Sequence, residues 1–152
     1  MKKLFLILSI SLILAIDAYA CRCEIYSSIE THLKERYEAS DFVILAKIES
    51  VKDSLTKGDN IMAGEKDYWR HGGYNPVLKI SKVYKGKIKA DTIEITPNWS
   101  NCSQYFKKGD TYVIFGYINQ KGEYTTSMCS ANFPSAREEW WKQFQKMKKK
   151  KT

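Results

Sequence analysis

Histidine is scarce in this chain: His32 and His71 are the only two, and they lie far apart. A zinc site draws three or four ligands from His, Cys and carboxylates, and no cluster at such spacing occurs. P-loop and serine-nucleophile motifs are missing, and the acidic residues are scattered rather than paired. These absences argue against an enzyme with a cofactor or metal of its own. His71, within Trp69-Arg70-His71-Gly72-Gly73, reads as an exposed loop residue, and His32 as a helix-surface residue. There are no internal repeats, and the lysine run Lys148 to Lys151 is the one low-complexity stretch. The apolar run Leu4 to Ile16 is too short to span a bilayer comfortably.

That run instead reads as the core of a secretory signal peptide. Lys2 and Lys3 give it a basic start, and Ala18-Tyr19-Ala20 supplies a small-x-small cleavage site. Cutting after Ala20 makes Cys21 the first mature residue of a secreted or periplasmic protein. Lipidation of Cys21 fits poorly, because Ala18-Tyr19-Ala20 lacks the Leu and the small residue that lipoprotein sites carry three and two positions before the cysteine. The division expected is a signal peptide at 1–20, one domain at 21–145 and a basic tail at 146–152. With 10 Tyr, 6 Phe and 4 Trp, the chain has the aromatic content of a folded core. A formal charge of +8 points to acidic polysaccharide or an anionic surface as a partner, against the plainer reading of a solvated, solubilising tail. No nucleic-acid motif accompanies the charge, and a monomer is expected.

All four cysteines, Cys21, Cys23, Cys102 and Cys129, fall in the mature segment, and an even count in an exported protein reads as two disulfides. A Cys21–Cys23 bridge would close a very small, strained ring. Both N-terminal cysteines are therefore expected to pair with the distant two, in either combination. A redox Cys-x-Cys pair is the weaker reading, since the other cysteines give both a structural use.

Ser27, three residues before Glu30, has capping-box spacing, and Ile29, Leu33 and Tyr37 make an apolar stripe, so a helix is predicted over 28–38. Strands are predicted over 42–51, 77–84, 91–96 and 111–118, with a hairpin return over 123–128 after the Gln120-Lys121-Gly122 turn. Residues 53–73, with four glycines, and 98–108 read as loops. A closing helix is predicted over 136–148, with Ser135 as N-cap, Glu138 as its box partner, and Trp140, Trp141, Phe144 and Met147 buried. Five short strands with a helix at each end suggest a mainly β domain closed into a small barrel. Asn98-Trp99-Ser100 and Asn101-Cys102-Ser103 fit the glycosylation pattern, but the signal peptide looks bacterial, and the matches then read as chance.

A mature N-terminal cysteine has chemistry of its own. Its amine, with an ordinary pKa of about 8, and its carbonyl can chelate a metal in a five-membered ring. A catalytic zinc in a protease keeps one position open to water, which such a chelate can displace. Around this terminus run Ala39-x-Asp41-x-Val43-Ile44-x-Ala46-Lys47, Val83-Tyr84-Lys85-Gly86, Ser100-x-Cys102, Gly109-x-x-Tyr112-x-Ile114-x-Gly116, and Cys129 with Pro134 beyond it. In order and spacing, these residues resemble the N-terminal inhibitory domain of the tissue inhibitors of metalloproteinases, across Cys21 to Trp141. The resemblance implies a netrin-like OB fold with a five-stranded barrel and flanking helices. It implies bridges Cys21–Cys102 and Cys23–Cys129, and a zinc metalloproteinase as partner, the zinc belonging to the target. Cys21 would then chelate that zinc, Arg22 would enter the adjoining specificity pocket, and Cys23, Glu24, Ile25, Trp99, Ser100, Asn101 and Cys102 would form the inhibitory edge.

Arg22 departs from the small residue usual in that family, and burying an unpaired guanidinium in an apolar pocket is costly. Cysteines for the family's third bridge, and a counterpart of its second domain, are not in these 152 residues. The alternative is a non-inhibitory netrin-like binding module in which Cys21-x-Cys23 is a structural staple and the basic surface meets an acidic partner.

Overall fold

In the computed structural model the described residues are 21–53, 74–96 and 102–150. Helix α1 (Ile29–Ala39) starts where Ser28 turns its hydroxyl onto the Thr31 N–H at 3.1 Å. The cap is thus Ser28 rather than Ser27, and its partner is Thr31 rather than Glu30. Leu33 and Tyr37, one turn apart, are its buried face, and Ser40 stops it by donating both N–H and hydroxyl to the Arg36 carbonyl.

Five strands follow: β1 (Phe42–Asp53), β2 (Tyr74–Lys85), β3 (Thr92–Glu94), β4 (Thr111–Ile118) and β5 (Tyr124–Thr125). Antiparallel ladders join β3 to β2, β2 to β1, β1 to β4 and β4 to β5. A parallel bridge between Ile95 and Tyr124, with Thr96 N–H donating to the Tyr124 carbonyl at 2.8 Å, brings β3 and β5 together. The circuit β1-β2-β3-β5-β4-β1 is a nearly closed, OB-fold-like barrel. Three register shifts along β1 and β2 bend that long pair round the barrel.

Strand alternation divides the apolar residues between two cores. Phe42, Ile44, Ala46 and Ile48 of β1 meet Tyr112 and Ile114 of β4 inside the barrel, with Leu78, Ile93 and Phe106. Val43, Val113 and Phe115 point the other way, under the helices, and meet Leu33, Tyr37, Phe133, Phe144 and Met147. Helix α2 (Glu138–Lys149) caps this second core, with Phe144 and Met147 buried and Trp140 and Trp141 packed at its margin. It begins later than predicted, and neither Ser135 nor any other side chain caps it; its N-cap is Arg137, whose N–H bonds the Pro134 carbonyl. Residues of the expected tail up to Lys149 belong to this helix, and the Lys148 ammonium donates to the Tyr37 hydroxyl at 2.6 Å.

Two glycines are dictated by close approach. Gly86 has φ +90°, and a Cβ there would lie 2.8 Å from the Asp41 carbonyl oxygen. Gly116 lies beneath the Phe42 ring, and any Cβ would enter that ring. Asp41 itself links β1 to β4, its N–H donating to the Gly116 carbonyl at 2.9 Å and its carboxylate accepting from Ile118 N–H at 2.8 Å. Much of the pattern quoted above therefore has structural work to do in this fold.

The return strand is shorter than the predicted 123–128. Beyond Thr125, the edge of β4 is satisfied by side chains instead of backbone. Phe115 N–H donates to Asn132 Oδ1 at 2.8 Å, and Thr126 Oγ1 donates to the Phe115 carbonyl at 2.6 Å. The chain leaves the sheet over 126–132, then rejoins β4 as a short strand not predicted from sequence, β6 (Phe133–Pro134), paired with Tyr112 and Val113.

Candidate functional site

The excursion between β5 and β6 carries Cys129 to the N-terminal arm. Its turn is tied by Ser130 N–H to the Ser127 carbonyl at 3.0 Å and by Cys129 N–H to Ser127 Oγ at 3.2 Å. Disulfides join Cys21 to Cys102 and Cys23 to Cys129, each with Cα atoms 5.1 Å apart. The two bridges touch: Cys21 Sγ lies 3.5 Å from Cys129 Sγ. Behind them Met128 N–H donates to the Cys102 carbonyl at 2.9 Å, so the two partner segments are fastened to each other as well as to the arm. The sulfurs of Cys21, Cys23 and Cys129 fall within 4.8 Å of one another, but all are bridged and none offers the thiolate a metal requires.

Between and beyond the anchored cysteines the arm is open. Arg22 and Glu24 are exposed, and Ile25 is 95% exposed. Cys21, Cys23 and Cys102 are half-buried. The structure thus brings Cys21, Arg22, Cys23, Glu24, Ile25 and Cys102 to one edge of the molecule. Trp99, Ser100 and Asn101 lie outside the described residues, as do His71 and most of the 53–73 loop.

A second fastening, not anticipated from the sequence, holds the arm after Ile25. Tyr26 donates its hydroxyl to Glu24 at 2.6 Å and stacks on His32 of α1, with centroids 4.4 Å apart and rings 12° from parallel. His32 meets Trp140 of α2 edge-on at 5.5 Å, and the Arg137 guanidinium covers the Trp140 ring at 4.7 Å. On the other side Arg36 lies over Tyr26 at 5.4 Å and pairs with Glu24 at 3.5 Å. His32 is therefore a half-buried link between arm and helices rather than a surface residue. Partial burial, with Arg36 beside it, holds its imidazole below the usual range, so it is neutral at pH 7. The signal available in the sequence was the i, i+4 pair His32 and Arg36 on one helical face near Tyr26.

No family model matches the chain, and no curated protein matches it. The functional reading consequently rests on this edge and on its chemistry.

Proposed function

We propose that the chain, cleaved after Ala20, is an exported inhibitor of zinc metalloproteinases, acting as the tissue inhibitors of metalloproteinases do. The observation that carries the reading is the double fastening of Cys21: its sulfur is bridged to Cys102 and rests against the second bridge, while its neighbour Arg22 stays exposed. Released from Ala20, Cys21 presents an amine and a carbonyl that chelate the target's zinc in place of its water. Rigidity reduces the entropic cost of binding, and two touching disulfides supply it. The OB-fold-like barrel gives the support that such a wedge needs.

Cys23, Glu24 and Ile25 continue the wedge away from the metal. Arg22 enters the pocket beside the zinc. Because a guanidinium is costly to bury unpaired, the preferred target has an acidic or water-filled pocket.

The experiment is inhibition of a metalloproteinase panel by the chain beginning at Cys21 and by the same chain with one alanine placed before it. Inhibition by the first alone, competitive with a small zinc-chelating inhibitor, is expected. Arg22→Thr shifts preference toward targets with apolar pockets. Absence of inhibition by the Cys21 form across the panel would turn the reading to a non-inhibitory binding module.

A further inference from the structure

Helix α2 carries a feature that the wedge does not use. Lys142, Lys146 and Lys149 recur at i, i+4 and i+7 on one face, so they form a row of cations along about 10 Å of helix. Two shallow troughs run beside this row. One is lined by Trp141, Lys142, Gln145, Lys146, Lys149 and Lys150. The other is lined by Lys82, Val83 and Tyr84 of β2 with Gln145, Lys148 and Lys149. They share Gln145 and Lys149, and so form one continuous surface.

Its charge is only partly neutralised. Glu138 pairs with Lys142 and Glu30 with Lys150, each at 3.1 Å, at the two ends of the row. Among the described residues no carboxylate forms an ion pair with Lys82, Lys146 or Lys149, and Glu30 reaches Lys146 only at longer range. From Glu138 to Lys150 the sequence has five lysines against two glutamates.

We infer that this surface binds an extended anionic polysaccharide. Three observations select that partner. Lysines line the surface and arginines do not, so it offers hydrated point charges rather than the bidentate forks that single out one phosphate or carboxylate. Such charges suit a polymer that presents many anions in series. The troughs are shallow and open, with Gln145 among the lysines of both and Trp141 in the first, a lining that suits a sugar ring with its hydroxyls. Finally, the apolar face of α2 is committed to the core through Phe144 and Met147, which leaves it no face to insert into a lipid bilayer. The attraction is long-ranged and salt-sensitive, and it holds the protein near anionic matrix without engaging the Cys21 edge. The inference does not depend on the inhibitor reading.

The test uses the full mature chain and three probes: heparin, polygalacturonate and vesicles containing anionic phospholipid. Binding to heparin at physiological salt, weaker binding to the less charged polygalacturonate, and little binding to vesicles are expected. Lys82→Ala/Lys146→Ala/Lys149→Ala is expected to weaken heparin binding at least about tenfold and to lower the salt needed for elution. Lys87→Ala/Lys89→Ala/Lys121→Ala, which removes the same charge from other exposed positions, is expected to change it by less than about twofold. Thermal melts check that both variants remain folded. Equal weakening by the two variants would reduce the effect to net charge and overturn the site. Absence of glycan binding by the parent chain, or tighter binding to vesicles than to heparin, would overturn the partner.

Discussion

Phe144 is the residue through which α2 is fastened to the rest of the domain, and replacing it with alanine measures that attachment. The side chain is fully buried, and its ring meets Tyr84 at 4.9 Å, Phe115 at 6.0 Å, Phe133 at 6.1 Å and Trp141 at 6.2 Å between centroids. Removing a buried phenyl ring costs about 3–5 kcal/mol, comprising lost transfer energy and the cavity that remains. Edge-to-face contacts with Tyr84, Phe115 and Phe133 add to area burial, and rigid β4 limits collapse of the cavity. The expected loss is therefore about 4 kcal/mol, which for a domain of this size lowers Tm by about 12 °C. Urea unfolding followed by far-UV circular dichroism and by tryptophan fluorescence is the assay, with Trp140 and Trp141 reporting from α2 itself. Phe144→Leu should lose less than half as much. A loss below about 1 kcal/mol for the alanine variant would refute docking of α2 on the β1–β4 face.

Gly116→Ala forces a Cβ into the buried Phe42 ring and is expected to destabilise by about 1–3 kcal/mol, with Phe42→Leu partly restoring stability in the double variant. Equilibrium denaturation of both checks this. Cys23→Ala/Cys129→Ala leaves Cys21–Cys102 in place, so the deleted bridge closed a path of about 30 residues rather than the full separation of 106. The loss expected from loop entropy is about 3–4 kcal/mol in guanidinium melts. His32 has a depressed folded-state pKa, so below the ordinary value of 6.5 the unfolded state takes up the proton first. Its contribution is fully present above that pH and is lost as pH falls through the folded value. His32→Gln should flatten the dependence of stability on pH between about 7.5 and 5.5.

The barrel was legible because β1 and β4 hold near-continuous apolar runs, Phe42 to Ala46 and Tyr112 to Phe115, and because Ile93 and Ile95 alternate with polar residues. Which face each residue of those runs takes, Ile44 and Ile114 inside the barrel or Val43, Val113 and Phe115 under the helices, is set by the sheet and the helices packed on it. Gly86 and Gly116 were visible only as pattern positions; their reasons, close approaches to Asp41 and Phe42, are tertiary. Helix ends were the weakest readings. At α1 the cap is Ser28, one residue beyond the predicted Ser27, and at α2 the candidate cap Ser135 has its N–H drawn onto the Thr111 carbonyl next to β6. β6 escaped notice because its two residues include a proline and carry no periodicity. The hairpin return was overestimated because Asn132, a side chain from outside it, replaces backbone pairing at Phe115. At the candidate site, the even cysteine count suggested that the two N-terminal cysteines pair with the distant ones, and the two bridges do so. The Tyr26–His32–Trp140 link depends on α1 and α2 lying side by side, which no local pattern encodes.

Chelation by the amine of Cys21 stands or falls on the inhibition constant of the mature chain before and after acetylation of that amine, against one zinc metalloproteinase that the free form inhibits. Acetylation turns the amine into an amide, whose nitrogen lone pair is delocalised into the carbonyl and no longer serves the metal, and leaves both disulfides and the barrel untouched. Inhibition is expected to weaken by at least about a hundredfold, a change of about 2.7 kcal/mol or more, with an unchanged melting temperature. Equal potency of the free and acetylated forms would contradict it.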